Sequence, residues 1–355
     1  MNIRLKAFFN LIIASIVFWV IAFFLFSLIR YNGIEEELSV FTDEVLNLPI
    51  RAYYEFAIIV GFVLGLVYAI IEFLFDIFLS KRLALGVSIF IKSIIYFVLI
   101  VVLLSSISFL VEEQIDIDLP NEIGWWRKDP FFWTTVIYFI TSSIVFSLIR
   151  IANDKFGRGI FFKVLIGKYR KPQEEERILM FLDLKDSTKI AEKLGHIEYS
   201  KFIQDCFIDL NRILGKFEAE VYQYVGDEAV LSWLPKKGFR NNNCIGMFFA
   251  FKNRINKRES YYMAKYNQLP EFKAGVHCGK IMVTEVGYIK KEIAYHGDVI
   301  NTAARIQKLC NSNQKSLLVS RVVLDNLSIS ESHYQLLSND ITLKGKEKTV
   351  EVYAL

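Results

Sequence analysis

Cysteine is scarce in this chain. Its four residues, Cys206, Cys244, Cys278 and Cys310, follow no metal-ligand spacing and all lie in the second half. That pattern excludes a disulfide-built secreted module and a zinc-finger type of site, and the four read as free thiols in a packed domain. An excess of one charge is also missing. The 42 Lys+Arg against 38 Asp+Glu leave a formal charge of +4. No basic stripe accompanies it, so nothing points to nucleic acid as a partner. Internal repeats and low-complexity tracts are absent, which removes solenoids and compositionally disordered arms. The first apolar run has no small-residue cleavage site and is too long for a secretory signal, so it reads as an uncleaved helix.

Apolar residues are abundant: 53% of the chain is hydrophobic, with 31 Phe, and the excess is concentrated. Four runs, at 8–29, 53–79, 86–111 and 131–151, reach the length of about 20 residues that crosses a hydrocarbon core. The prediction is an α-helical membrane bundle of four spans over 1–151, with the lipid bilayer as its partner. Arg4 and Lys6 before the first run, Lys81 and Arg82 after the second, and Arg150, Lys155 and Arg158 near the end of the fourth favour cytoplasmic termini. The expected location is the plasma (inner) membrane, with Trp125 and Trp126 at an interface. Glu55, Glu72 and Lys92 fall inside the runs, and intramembrane charges are functional candidates by default. Glu72 and Lys92 lie at similar depth on either side of the Lys81-Arg82 turn, so they are expected to pair. The pair either fixes packing or belongs to a site for a membrane-domain ligand. Four short-looped spans without repeats or broken helices do not read as a transporter.

Residues 152–176 form a mixed basic and apolar segment, read as a linker or coupling segment. From 177 to 355 strand-length apolar runs alternate with helical patterns, which predicts one α+β domain with a sizeable core. In "VYQYVGDEAVLSW" two apolar strands flank Gly226-Asp227, the pattern of a hairpin with a carboxylate at its tip. In "RILMFLDLKDST" a buried-strand run ends in Asp183, and the turn Lys185, Asp186, Ser187, Thr188 opens a helix. An acid ending an apolar strand is costly unless paired or metal-bound. Amides at a helix start suit phosphate, although Asp186 or Ser187 also serves as an N-cap. If that strand lies beside the hairpin, Asp183 and Asp227 converge, and two carboxylates suit hard cations such as Mg²⁺. In "HGDVINTAARIQKLC", Asn301 and Arg305 are four apart and share a helix face. Guanidinium groups commonly stabilise charge on a transferring phosphate. In "ITLKGKEKTVEVYAL", Lys344 and Lys346 flank a glycine between two strand-like runs.

Together "FLDLKDST", "YVGDE", "GDVINTAAR" and "LKGK", in that order, resemble the catalytic domain of the class III nucleotidyl cyclases, the adenylate and guanylate cyclases. The resemblance implies that Asp183 and Asp227, with the Leu184 carbonyl, hold two Mg²⁺ or Mn²⁺ ions per active site. It also implies that Lys185, Asp186, Ser187 and Thr188 hold the β- and γ-phosphates and that Lys346 binds the triphosphate. Asn301 would orient the ribose and Arg305 would stabilise the transition state. In that family the aspartates and the Asn-Arg-Lys set come from different domains. A chain carrying both sets would homodimerise, forming two composite sites. At the base-recognition positions this chain departs from the pattern. Gln223 stands where adenylate cyclases commonly have Lys, and Ala294 where they have Asp or Thr. The Gln223 amide can satisfy either purine edge. The resemblance favours ATP over GTP as substrate and 3′,5′-cyclic AMP as product. A guanylate cyclase and a catalytically silent nucleotide-binding receptor are the alternatives. The Gly-Asp-Glu triplet is also similar to the GGDEF signature of diguanylate cyclases, but the Asn-Arg helix and the C-terminal lysines have no place in that pattern.

Overall fold

The computed structural model describes residues 3–33, 50–79, 83–115, 130–157, 160–341 and 349–355. Lys81, Arg82, Trp125, Trp126, Arg158, Lys344 and Lys346 lie outside the described residues. The chain divides into two compact units, 1–155 and 156–355.

The first unit contains helices α1 (Ile3–Gly33), α2 (Ile50–Phe78), α3 (Leu85–Ile115) and α4 (Pro130–Phe156, ending one residue past the boundary). Gly61 and Gly65, one turn apart on α2, let its backbone lie directly on α1. A Cβ at Gly65 would fall 2.5 Å from Ile16 Cα, and one at Gly61 would fall 2.7 Å from Val20 Cα. Small residues at this spacing are a common device for close helix contact in lipid. Trp19, Tyr68, Tyr96, Phe139 and Phe146 form the buried centre. The opposite faces are apolar and open, with Ile13, Ile59, Phe90 and Ile137 all more than 60% exposed.

Among the described residues three helices are long and apolar enough to cross a membrane: Phe8–Ile29, Ala57–Phe78 and Phe132–Lys155. In α3 the qualifying apolar stretch is the shorter Gly86–Leu99. The four expected spans are thus reduced to three candidates and a fourth long helix.

The expected pair is present. Lys92 Nζ lies 2.6 Å from Glu72 Oε2, and Glu72 is fully buried. The sequence did not reveal its company: Tyr96 donates to Glu72 at 2.9 Å, and Arg150 of α4 pairs with both Glu72 and Asp76. Glu55 instead sits exposed, paired with Arg51 one turn away.

The second unit is built on an eight-stranded mixed sheet in the order β2-β3-β1-β4-β6-β8-β7, with β5 pairing β4. Its strands are β1 (Gln173–Leu184), β2 (Glu220–Val225), β3 (Glu228–Trp233), β4 (Phe272–Val286), β5 (Glu292–His296), β6 (Leu317–Ser320), β7 (Gln335–Ile341) and β8 (Val350–Ala354). β1 opens at Gln173, inside the segment read as a linker, and Tyr169 is already buried. The acidic run Glu174–Glu176 disguised the strand. Arg177, itself buried, takes up Glu175 and Glu220 at 2.7 and 2.6 Å.

Strand alternation sorts β1 into two cores. Ile178, Met180, Leu182 and Leu184 face helices α5 (Ser187–Leu214), α6 (Asn243–Lys257) and α7 (Glu259–Tyr266). Leu179 and Phe181 face α8 (Asp298–Ser312), and Asp183 continues that second face. The four cysteines are free and buried, as expected. Burial pushes the Cys244, Cys278 and Cys310 thiols up to about 12, so they are inert.

Candidate active site

The GD hairpin forms as its sequence requires. β2 and β3 pair antiparallel, with Val225 opposite Glu228 across Gly226-Asp227. Gly226 has φ +60°, a conformation that a residue without Cβ adopts at least cost. β3 then pairs with β1 so that Glu228 lies opposite Asp183. Asp227 therefore sits one residue from the position facing Asp183. The two expected carboxylates share one end of the sheet.

Their electrostatics agree. The Glu228 carboxyl is pushed up to about 7, first by burial and then by the charges of Asp183 and Asp227. The Tyr199 phenol on α5 is raised by burial, then by Asp227 and, more weakly, by Asp183. On the other side of β1, Lys273 of β4 lies 3.1 Å from Asp183 Oδ2. Three carboxylates thus crowd a space that Lys273 only partly neutralises. Among the described residues no cluster of three or more His, Cys, Asp or Glu side chains is arranged as a metal cage. The expected donor set is Asp183, Asp227 and the Leu184 carbonyl, and the structure brings the two carboxylates to one end of the sheet. Such an open, oxygen-only set fits a divalent cation that brings its own water and phosphate ligands.

The turn after β1 is compact. Asp186 takes a left-handed φ of +55° and starts α5 without a side-chain cap hydrogen bond. The Lys185 amide donates to the Glu271 carbonyl at 2.8 Å and its ammonium pairs with the Glu271 carboxylate, both at the surface. That leaves the amides of the first turn of α5, at Ser187 and Thr188, without intrahelical partners.

Asn301 and Arg305 lie on α8, Asn301 exposed and Arg305 half-buried. Among the described residues Arg305 has no ion-pair partner. They share a face, whereas Gln307 lies about 200° round the helix from Arg305 at 100° per residue. It is Gln307 that faces Asp183, with Nε2 3.0 Å from Oδ2. Within one chain, then, it is Gln307 and neither Asn301 nor Arg305 that hydrogen-bonds Asp183.

Gln223 is exposed on β2, and Ala294 is half-buried on β5 opposite Thr284. Their neighbours Tyr222 and Tyr295 stack at 4.0 Å, and the Tyr295 amide donates to the Tyr222 hydroxyl at 3.1 Å. That stack ties the two strands together beside Gln223 and Ala294, the positions expected to read the base.

Lys273, Gln307 and Glu228 were not singled out by sequence reasoning. Glu228 was adjacent to the motif. Lys273 and Gln307 reach Asp183 from elements 90 and 124 positions away in sequence.

Residues 170–355 match the adenylate and guanylate cyclase catalytic domain. The chain belongs to this family, the class III nucleotidyl cyclases. It is similar to adenylate cyclase 2 of Rhizobium meliloti (strain 1021), with 31% identity over 187 residues covering 53% of this chain and 51% of that protein. It is also similar to an adenylate cyclase of Anabaena cylindrica, with 25% identity over 184 residues, 49% of this chain and 36% of that protein. The alignments thus span about half of the first relative and about a third of the second. In fold it is similar to a bacterial light-regulated adenylyl cyclase, with a TM-score of 0.54, 19% identity, and coverage of 68% of this chain and 72% of that one.

Proposed function

We propose that the protein is a membrane-bound adenylate cyclase that converts ATP to 3′,5′-cyclic AMP and pyrophosphate. The observation that carries this reading is the surplus of carboxylate at Asp183, Asp227 and Glu228, beside the open amides at the start of α5. An acid surplus next to a helix N-terminus suits a cation-bound triphosphate. Named relatives that are adenylate cyclases support ATP over GTP. Gln223 and Ala294, which lack the charged adenine-reading pattern, keep a guanylate cyclase as the second reading.

The reaction needs the ribose 3′-oxygen to attack the α-phosphorus of the same nucleotide. Two Mg²⁺ or Mn²⁺ ions at Asp183, Asp227 and the Leu184 carbonyl would supply the positive charge that favours attack and departure. The side chains supply position and direction. Asn301 orients the ribose, and Arg305, which has no carboxylate partner among the described residues, meets the charge that develops at phosphorus. The turn Lys185–Thr188 holds the β- and γ-phosphates together with Lys346.

That Gln307, and neither Asn301 nor Arg305, bonds Asp183 within the chain supports a homodimer, in which Asp183 and Asp227 of one protomer complete a site with Asn301 and Arg305 of the other. The apolar outer faces of α1–α4 support anchoring in the plasma (inner) membrane through four spans, α3 included, with both termini cytoplasmic. The Glu72–Lys92–Arg150 network is the proposed place at which a membrane ligand would act on output.

The test is product analysis. Purified chain is given ATP or GTP with Mg²⁺ or Mn²⁺, with Asp227→Asn as control. Cyclic AMP that disappears in the control supports the reading, and cyclic GMP moves it to a guanylate cyclase. Nucleotide binding without any product indicates a silent receptor.

A further inference from the structure

Helix α8 carries the Asn-Arg pair on one face and reaches the metal-binding carboxylate with another. Gln307, 3% exposed, donates from Nε2 to Asp183 Oδ2 at 3.0 Å. The same oxygen lies 3.1 Å from Lys273 Nζ. Lys273 in turn donates to Asn311 Oδ1 at 2.8 Å, one turn further along α8. Two residues of one helix thus hold Asp183, one directly and one through a lysine. Both contacts fall on Oδ2, and among the described residues Oδ1 has no hydrogen-bond partner. A carboxylate tied through one oxygen presents the other in a fixed direction.

The mounting is stiff. Gly275 pairs with Phe181, two residues before Asp183. A Cβ on Gly275 would fall 2.2 Å from Gln307 N and 2.8 Å from Ala303 O. The backbone of α8 therefore rests on β4 with no side chain between them. A shift of the helix carries Gln307 with it.

We propose that Gln307 is a positioning residue for Asp183. On the composite-site reading, on which this rests, each α8 braces the metal-binding carboxylate of one site while presenting Asn301 and Arg305 to the other. The two sites of a dimer are then joined by the helix they share. A change at Gln307 acts on the site that uses the same chain's Asp183, not on the site that uses the same chain's Asn301.

Mixed dimers test this directly. Two differently tagged full-length chains are co-expressed, one with Asn301→Ala and the other with Asp183→Ala. The one working site takes its aspartates from the first chain and its Asn301 and Arg305 from the second. Gln307→Met keeps the length of the side chain and removes the donor. Placed on the first chain, it should raise the Mn²⁺ concentration needed for half-maximal activity roughly 10-fold, the low end for loss of an outer partner of a metal ligand. Placed on the second, it should leave that concentration unchanged. An equal shift from both placements, or none from either, overturns the proposal. Gln307→Asn, which keeps the amide but falls one methylene short, should reproduce the shift and serves if the methionine variant folds poorly. Mn²⁺ binding to the full-length protein, followed by electron paramagnetic resonance, is read in parallel and should weaken by a similar factor in the Gln307→Met homodimer. An inactive mixed dimer without the Gln307 change would defeat the composite-site reading instead. The binding measurement then decides the role of Gln307, and unchanged Mn²⁺ affinity overturns it.

Discussion

Two regions of the catalytic fold bury carboxylate, and they treat it in opposite ways. Asp209 on α5 is fully buried and heavily compensated. Arg254 lies 2.8 Å from one oxygen, Arg258 pairs with the other, Tyr262 donates at 2.8 Å and Arg212 lies at 3.6 Å. One acid meets three guanidinium groups and a phenol. At the tip of the sheet Asp183 meets Lys273, and at Glu228 the charges of Lys308 and Lys273 only partly offset burial and the two aspartates. The first region spends its charges on joining α5 to α6 and α7. The second keeps a deficit of positive charge that the protein alone does not fill. Burial of an ionisable group does not separate structure from function here. The balance of charge does.

The largest break in that comparison is to remove a carboxylate from the uncompensated region. Asp227→Asn should abolish cyclase activity while leaving the melting temperature unchanged or higher, because it relieves repulsion; activity and thermal unfolding on one preparation check both. Next is Arg305→Ala, expected to lower turnover by about 10³-fold, by analogy with arginines that stabilise phosphoryl transfer. Steady-state kinetics with a little-changed KM would fit that role.

In the compensated region the effect should fall on stability. Asp209→Ala leaves two or three guanidinium groups without their carboxylate and should cost about 3–5 kcal/mol. Chemical denaturation measures the loss, and specific activity per folded molecule should hold.

The smallest effect is a pH dependence. Glu228 keeps its proton up to about 7 in the fold, whereas an ordinary glutamate releases it near 4.5. Between those values the folded state binds more protons, so metal-free protein should lose stability as pH rises through this window. Melting curves in a chelator at pH 5 and pH 8 should show the drop, and Glu228→Gln should flatten it.

Much of the site was legible because its signals are local. The hairpin announces itself through Gly226-Asp227 between two apolar runs. Asp183 stands out as an acid ending a strand, and Asn301 and Arg305 as one turn of a helix. Register was not legible. That Lys273 and Gln307 meet Asp183 depends on which strand lies beside β1 and which helix covers it, and those pairings are made across long stretches of chain. The start of β1 was hidden for a different reason. Glu174, Glu175 and Glu176 look like a solvated linker until Arg177 and Lys168 are seen to pair with Glu175 and Lys280 with Glu174. In the helical unit the Glu72–Lys92 pair followed from matched depth along a hairpin. Arg150 lies 78 positions from Glu72 and entered only with the packing of α4.

The Glu72 network also bears on how the chain is made. A charge left alone at the middle of a span costs about 3 kcal/mol on insertion scales. On the proposed membrane reading α2 and α3 are made before α4, so Glu72 and Lys92 can neutralise each other as that helix pair enters lipid. Arg150 comes last, on α4, and pairs with Asp76 and with the same Glu72 oxygen that Lys92 meets. The order of the helices in the chain is thus the order in which these charges can find their partners.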